Sequence, residues 1–322
     1  MDCIDGIAQL EDKSINLVIA DPPYYKIKDN DWDNQWNSFS EYLDFIERVA
    51  LDIKRVLADN GSFYIFGDDE NIAYVQVRLD KYFTFLNHLV WYKNNNVAIK
   101  YAPNFRKFCP VSERILFYSN QKDKTGLETI KLDMDNFTTL RQYFHDFQGA
   151  LGLSSNEITK IFGNRKAEHC FYWGSTQWDL PTREVYKSLC KLPIKNNGFI
   201  CREYEELRRE YEELRREYEE MRRTFNYQEK IYEVIPEPSI QLNENTNHPT
   251  TKPERLIKKF ILASSNPGDV VLDPFMGSGT TGVCAKKHGR HFIGFDNNEE
   301  YCKLAQGRIE TAMCQSVLGS CR

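Results

Sequence analysis

The sequence predicts an α/β protein whose sheet is contributed by two separate chain segments, with a mostly helical insert between them. Three observations carry this reading. Short apolar runs alternate with amphipathic helical stretches over residues 1–120, the same alternation returns over 246–322, and between them a seven-residue unit repeats three times.

Strand candidates in the first segment are Asn16–Ala20, Ser62–Phe66, Leu86–Tyr92 and Arg114–Tyr118, each short and apolar or aromatic. Between the first two lies SFSEYLDFIERVALDIKRVLADNG, with apolar residues at helical spacing, Ser40 as N-cap and Gly61 as the exit. A second helix is expected in DDENIAYVQVRLDKYF. Strands alternating with helices imply a parallel sheet.

Residues 121–245 read differently. DFQGALGLSSNEITKIFGNRKAEHCFYW suggests a short helix, a Gly/Ser turn and a helix Asn156–Phe162, loosely like a helix-turn-helix and equally readable as a small packing unit. EYEELRR then occurs at 203–209 and 210–216 and EYEEMRR at 217–223, so an apolar stripe runs along a helix over 203–225. That stripe suits either a dimer seam or a helix laid against its own domain. Glu205–Arg209 and Glu212–Arg216 are the expected i,i+4 pairs. IPEPSIQLNENTNHPTTKP reads as a boundary loop. In the last segment DVVLDPF is a strand, TTGVCAKKHG a helix, HFIGFD a strand and NEEYCKLAQGRIETAM a helix.

Composition removes several classes. No run of about 18 apolar residues suggests a membrane helix, and the mixed, acidic N-terminus is unlike a signal peptide. Nine cysteines without a CxxC pair fit reduced thiols in a cytoplasm better than disulfides or a zinc site. Net charge is −5, but it is unevenly spread. Residues 1–92 hold 8 Lys/Arg against 17 Asp/Glu, whereas 93–131 hold 8 against 3, with Tyr101, Phe105, Phe108 and Phe117 interleaved. Residues 157–195 hold 7 against 4. A basic middle is compatible with a phosphate-tracking face, and a solvated surface gives the same count.

LVIADPPYYKI, residues 17–27, places an acid, two prolines and two tyrosines at the end of an apolar strand. Ligands bind at the carboxyl ends of strands in open α/β sheets, so this is a candidate active-site loop. A second glycine-rich loop, LDPFMGSGTTG, follows a strand and opens a helix. Gly277, Gly279 and Gly282 satisfy GxGxxG, and Asp296 closes the next strand 19 residues after Gly277. Taken alone this is a dinucleotide fingerprint, with Asp296 on ribose hydroxyls. Asp273 argues against a dinucleotide, because it stands four residues before the first glycine, where a pyrophosphate would lie. S-adenosylmethionine, with an ammonium, a sulfonium and a ribose, suits that charge better than NAD.

DPPY at 21–24, HPTTKP at 248–253, LDPFMGSGTT at 272–281 and FIGFD at 292–296 together resemble the motif set of amino-DNA methyltransferases. The catalytic motif precedes the cofactor motif with a long insert between, which resembles the circularly permuted beta class. The likeness covers roughly 2–120 and 246–311. It implies a Rossmann-like S-adenosylmethionine-dependent methyltransferase fold, with 1–120 as catalytic half, 121–245 as target-recognition insert and 246–322 as cofactor-binding half. Asp273, Phe275, Gly277, Gly279 and Thr280 are implied to line the methionine side of the cofactor, and Asp296 to take the ribose hydroxyls. His248, Thr250 and Lys252 belong to the motif covering the methionine end. Asp2 stands where an acid reaching the adenine ring is found, although relatives place a strand before it and this chain starts at Met1.

The same likeness implies methylation of a base amine by Asp21, Pro22, Pro23 and Tyr24. Such an amine is a poor nucleophile because its lone pair is delocalised. A carboxylate and the Pro22 carbonyl can each accept one amine hydrogen, aiming the nitrogen at the methyl group and offsetting its developing charge. Tyr24 offers a stacking face worth about 1–3 kcal/mol. A duplex base must flip out to reach it. In the family an Asp at the first motif position leans to N6 of adenine and a Ser to N4 of cytosine. Trp32, Trp36 and NFRKF at 104–108 are candidates for lid and phosphate contacts. Neither a metal nor a catalytic cysteine is required. The substrate implied is double-stranded DNA, and a homodimer and a cognate restriction endonuclease are further partners it raises. The rivals are N4-cytosine methylation, a DNA-binding protein without activity, and a nicotinamide-dependent oxidoreductase.

Overall fold

The structure, a computed structural model, describes residues 1–26, 35–94, 108, 110–121, 137–163, 165–175, 177–195, 198–226, 232–239 and 251–319. The chain divides into two compact units, Met1–Lys124 with Arg223–Arg322, and Thr125–Arg222.

Among the described residues the first unit is built on seven strands: β1 (Ile15–Ala20), β2 (Leu57–Gly67), β3 (Thr84–Tyr92), β4 (Ser112–Ser119), β5 (Val234–Pro236), β6 (Val270–Asp273) and β7 (His291–Gly294). Their order is β5-β3-β4-β2-β1-β6-β7. β1 pairs parallel with β2 and β6, as does β6 with β7 and β3 with β5. The expectation of a parallel sheet fails at β4, which lies between β2 and β3 and runs antiparallel to both. The helical crossover that a parallel return needs was not read in the sequence between β3 and β4. β5 falls partly in the expected boundary loop. It is a three-residue edge strand ending in Pro236, and proline is tolerated at an edge because its missing N–H costs no ladder bond there.

Alternation along β1 sorts its residues to two cores. Val18 and Ala20 join Phe63, Ile65 and Leu116 on one face, under α1 (Cys3–Ile7), α2 (Phe39–Val56) and α3 (Ile72–Leu79). Leu17 and Ile19 join Tyr64, Phe66 and Val271 on the other, under α8 (Glu254–Ser264) and α9 (Thr280–Lys287). A strand covered on both faces reads as a continuous apolar run. Tyr64 stacks between Phe117 at 4.2 Å and Phe260 at 4.6 Å, and its hydroxyl meets the Ser264 hydroxyl at 2.7 Å.

Two boundaries around α2 differ from expectation. Ser38, not Ser40, is the N-cap and accepts from the Glu41 N–H, while the Glu41 carboxylate reaches back to the Asn37 N–H. The helix ends at Val56 and β2 begins at Leu57, so Gly61 lies inside the strand rather than at the helix exit. A side chain there would press on Leu57, within 2.6 Å. The last helix, α10, runs Glu299–Gly319 and thus beyond the expected end.

The second unit holds α4 (Thr138–Leu151), α5 (Ser155–Phe162), a 3-10 turn (Arg165–Phe171), α6 (Arg183–Leu189) and α7 (Tyr204–Met221). Gly152 closes α4 in the left-handed region (φ 59°), and a Ser154–Glu157 capping box opens α5. Leu140, Phe144, Phe147 and Leu151 form one stripe of α4, packed with Ile158, Trp178, Tyr186 and Leu189. The heptad stripe of α7 turns onto this same core: Leu207 is fully buried, and Tyr204, Tyr211 and Leu214 pack beside it. The expected i,i+4 pairs are replaced by Arg208–Glu212 at 2.8 Å and Arg202–Glu210 at 2.8 Å. Among the described residues no helix is long and apolar enough to cross a membrane.

Candidate active site

Because β1, β2, β3, β6 and β7 run in one direction, their carboxyl ends meet along one edge of the sheet. β4 runs the other way, so its first residues arrive at that edge too. The segments leaving these ends enclose a cavity of about 550 Å³, within the usual range of ligand pockets. Of the residues expected at the site, Asp2, Asp21, Pro22, Pro23, Tyr24, Lys252, Phe275, Gly277 and Asp296 line it. Asp273 and Thr280 line a small recess of about 40 Å³ that shares Asp21, Lys252 and Gly277 with the cavity. Gly279 lines neither. It caps α9 in the left-handed region (φ 78°), where a Cβ would stand 2.7 Å from the Ala305 Cβ. His248, Thr250, Trp32 and residues 104–107 lie outside the described residues. Trp36 is buried against Tyr42 and Phe45, so it anchors the start of α2.

The glycine loop is fixed by acids. Asp273 is buried, accepting from the Thr281 hydroxyl at 2.6 Å and the Phe275 N–H at 3.0 Å. Burial pushes its carboxyl up to about 7, and the nearby Asp21 and Asp296 add to that. Asp296 accepts from the Gly277 N–H at 3.1 Å and the Asn298 N–H at 2.8 Å, which ties the end of β7 to the loop after β6. Asp2 caps α1 by accepting from the Ile4 N–H.

The other side of the cavity is ionic. Tyr24 donates to Asp21 Oδ1 at 3.0 Å and lies 3.4 Å from Glu113 Oε2. The Lys252 ammonium pairs with Asp21 Oδ2 and stands 3.5 Å from Glu113 Oε2. Lys93 holds the remaining Glu113 oxygen at 2.5 Å. Burial works against the Lys252 charge, but Asp21 and Glu113 outweigh it and raise its pKa. Burial likewise pushes the Glu113 carboxyl up, and Lys252 and Lys93 pull it below its usual range. Burial, then the charges of Asp21 and Glu113, hold the Tyr24 phenol well above its ordinary value. Tyr24 is therefore a neutral donor at physiological pH.

Lys252, expected by its motif at the cofactor, has its ammonium on Asp21. Glu113, Lys93, Trp91 and Asp68 also line the cavity and stand in none of the sequence motifs. The available signal was positional: Glu113 opens the apolar run of β4 and Lys93 follows that of β3, so both sit at strand ends.

The arrangement fits S-adenosylmethionine on its own terms. Acids at Asp2 and Asp296 offer acceptors to an exocyclic amine and a ribose diol, and buried Asp273 favours a cationic end over phosphate. The cavity also holds the Asp21–Tyr24 loop, so one space can bring two reacting molecules together.

Comparison with known proteins agrees with this geometry. The family model N6_N4_Mtase, described as DNA methylase, matches residues 15–307. The Type II methyltransferase M1.MboII of Moraxella bovis is 30% identical over 95% of this chain and 93% of its own length. The DNA adenine methyltransferase YhdJ of Escherichia coli K12 is 28% identical over 96% of this chain and 81% of its own. Among solved structures, the M1.HpyAVI–SAM complex superposes with a TM-score of 0.52 at 20% identity, covering 96% of both chains.

Proposed function

The chain belongs to the N6_N4_Mtase family of DNA methylases and is a DNA methyltransferase using S-adenosylmethionine, and from that premise we propose that it methylates N6 of a flipped-out adenine within a specific DNA site. The observation that carries the choice of base is Asp21 at the head of the DPPY loop, lining the cavity beside Tyr24. The adenine methyltransferase among its relatives supports the same choice.

S-adenosylmethionine supplies an electrophilic methyl group. The chain does the rest. Asp21 and the Pro22 carbonyl each accept one hydrogen of the amine, which orients its lone pair and offsets the positive charge that grows on nitrogen. Pro22 and Pro23 stiffen the turn and leave its carbonyls without competing backbone donors. The Tyr24 ring stacks on the base while its hydroxyl fixes Asp21. Asp296 and Asp2 take the ribose and adenine of the donor. Phe275, Gly277, Asp273 and Thr280 line its methionine side, with Gly279 setting the loop they sit on. The motif carrying His248, Thr250 and Lys252 is assigned to that end by the family likeness, with the Lys252 ammonium turned to Asp21.

The unit Thr125–Arg222 reads the DNA sequence in this scheme. Because α7 buries its stripe in that unit, the stripe lends no support to a dimer seam, and a dimer rests on other surfaces. A restriction endonuclease sharing the recognition sequence completes the proposed set of partners, acting in the cytoplasm.

Nucleoside mass spectrometry tests the reading after incubation of unmethylated DNA with the protein and S-adenosylmethionine. N6-methyladenine is expected. N4-methylcytosine would overturn the choice of base, and no methylated base would overturn the activity.

A further inference from the structure

Glu113 and Lys93 have no part in the scheme above, yet with Lys252 and Asp21 they form an unbroken chain of charges. Lys93, Glu113, Lys252 and Asp21 alternate in sign and sum to zero, with consecutive partners in contact. They come from the ends of β3, β4 and β1 and from the segment before α8. The Lys252 side chain is only 11% exposed and lies over the Phe66 ring at 5.0 Å and the Tyr24 ring at 5.8 Å. A buried ammonium beside the carboxylate that must offset a developing positive charge poses an electrostatic problem. On its own it would cancel most of the field Asp21 applies to the amine.

Resting on the methylation reading, we propose that Lys252 and Glu113 are positioning residues for Asp21. Lys252 holds the carboxylate in place, and Glu113, steadied by Lys93, balances the ammonium so that Asp21 keeps its field on the amine. Tyr24 gives its hydroxyl proton to Asp21 at 3.0 Å, with Glu113 Oε2 3.4 Å from the same oxygen. Asp273 faces this group through the recess it shares with Asp21 and Lys252, and Asp68, Asp69 and Asp296 are further acids lining the same cavity.

Charge balance makes a prediction that packing does not. In Lys252→Met the Asp21 and Glu113 carboxylates face each other around Tyr24 without a cation between them, and the pair takes up a proton. Turnover at neutral pH then falls, on the order of 10²-fold, and recovers as pH rises, while the KM for S-adenosylmethionine changes little. In Glu113→Gln the ammonium quenches Asp21, and turnover falls about 10-fold without that pH recovery. The double variant removes both charges and regains about 10-fold over Lys252→Met. Lys252→Arg keeps the wild-type pH profile.

The experiment measures methyl transfer to DNA against pH for wild type and these four variants. Alongside it, carbon-13 NMR follows the Glu113 carboxyl in wild type and Lys252→Met. The double variant should exceed Lys252→Met, and the Glu113 titration should move upward in Lys252→Met. A double variant no better than its worse parent, or a Glu113 titration that stays put, would overturn the proposal. Failure of the wild-type protein to methylate DNA would instead show in the first column of data, and would overturn the functional reading on which the Asp21 role depends.

Discussion

The two sides of the cavity are held by different means. On the cofactor side, Asp273 and Asp296 are tied by backbone N–H groups and a hydroxyl, from partners at most 19 residues away. On the catalytic side, Asp21 is held by Lys252, 231 residues distant, and through Tyr24 by Glu113, 89 residues from that tyrosine. The first arrangement is local and relies on uncharged donors. The second is assembled only by the fold and depends on charge. It follows that the first should survive changes in the second, and that pH should act on the two differently.

The largest effect expected is on turnover. Asp21→Ala removes one of two acceptors for the amine and the charge beside it. Methyl transfer should fall at least 10²–10³-fold, roughly the loss seen on deleting one preorganised transition-state contact, as measured by product formation in single turnover. Retention of more than a tenth of wild-type turnover would remove the distinction between the two sides.

A stability change comes next. Gly279→Ala places a Cβ 2.7 Å from the Ala305 Cβ at a positive φ, so α9 must shift against α10. A loss of about 1–3 kcal/mol is expected in denaturant unfolding. This variant breaks the cofactor side by geometry alone, with no change of charge.

A pH-dependent effect on stability belongs to Asp273. Its carboxyl keeps a proton up to about 7 in the folded chain, against a usual value of 3.8. The folded state therefore binds more protons in that window. Its contribution to stability is full below about 3.8 and is lost as pH rises through about 7. Thermal melts of Asp273→Asn and wild type should converge in acid, with wild type falling further as pH rises. Identical pH profiles would remove the burial argument.

The smallest effect is a control. Lys13 and Asp59 form an exposed pair far from the cavity edge, with side chains 63% and 75% exposed. Lys13→Ala should change stability by less than about 1 kcal/mol and leave turnover alone.

What was legible in the sequence follows the same division. β1, β6 and the glycine loop were readable because each is a short local pattern: an apolar run, an acid and closely spaced glycines. Asp21, Asp273, Asp296 and the prolines stood inside such patterns. The antiparallel β4 was not readable, since strand direction depends on which neighbour it finds. β5 was missed because three residues ending in proline give no period. Glu113 and Lys93 were missed for a related reason. Each looks like an ordinary charge at a strand end until antiparallel pairing carries one beside the other. In the second unit the α7 repeat was visible, but its partner was not, because a heptad stripe fits a core or a second chain equally well.

The most direct test of the separation between the two sides is a calorimetric titration of S-adenosylmethionine into wild type and Asp21→Ala. Dissociation constants within about threefold of each other are expected, with methyl transfer lost in the variant alone. Loss of cofactor binding in step with turnover would contradict that separation, and would move Asp21 from the base to the cofactor.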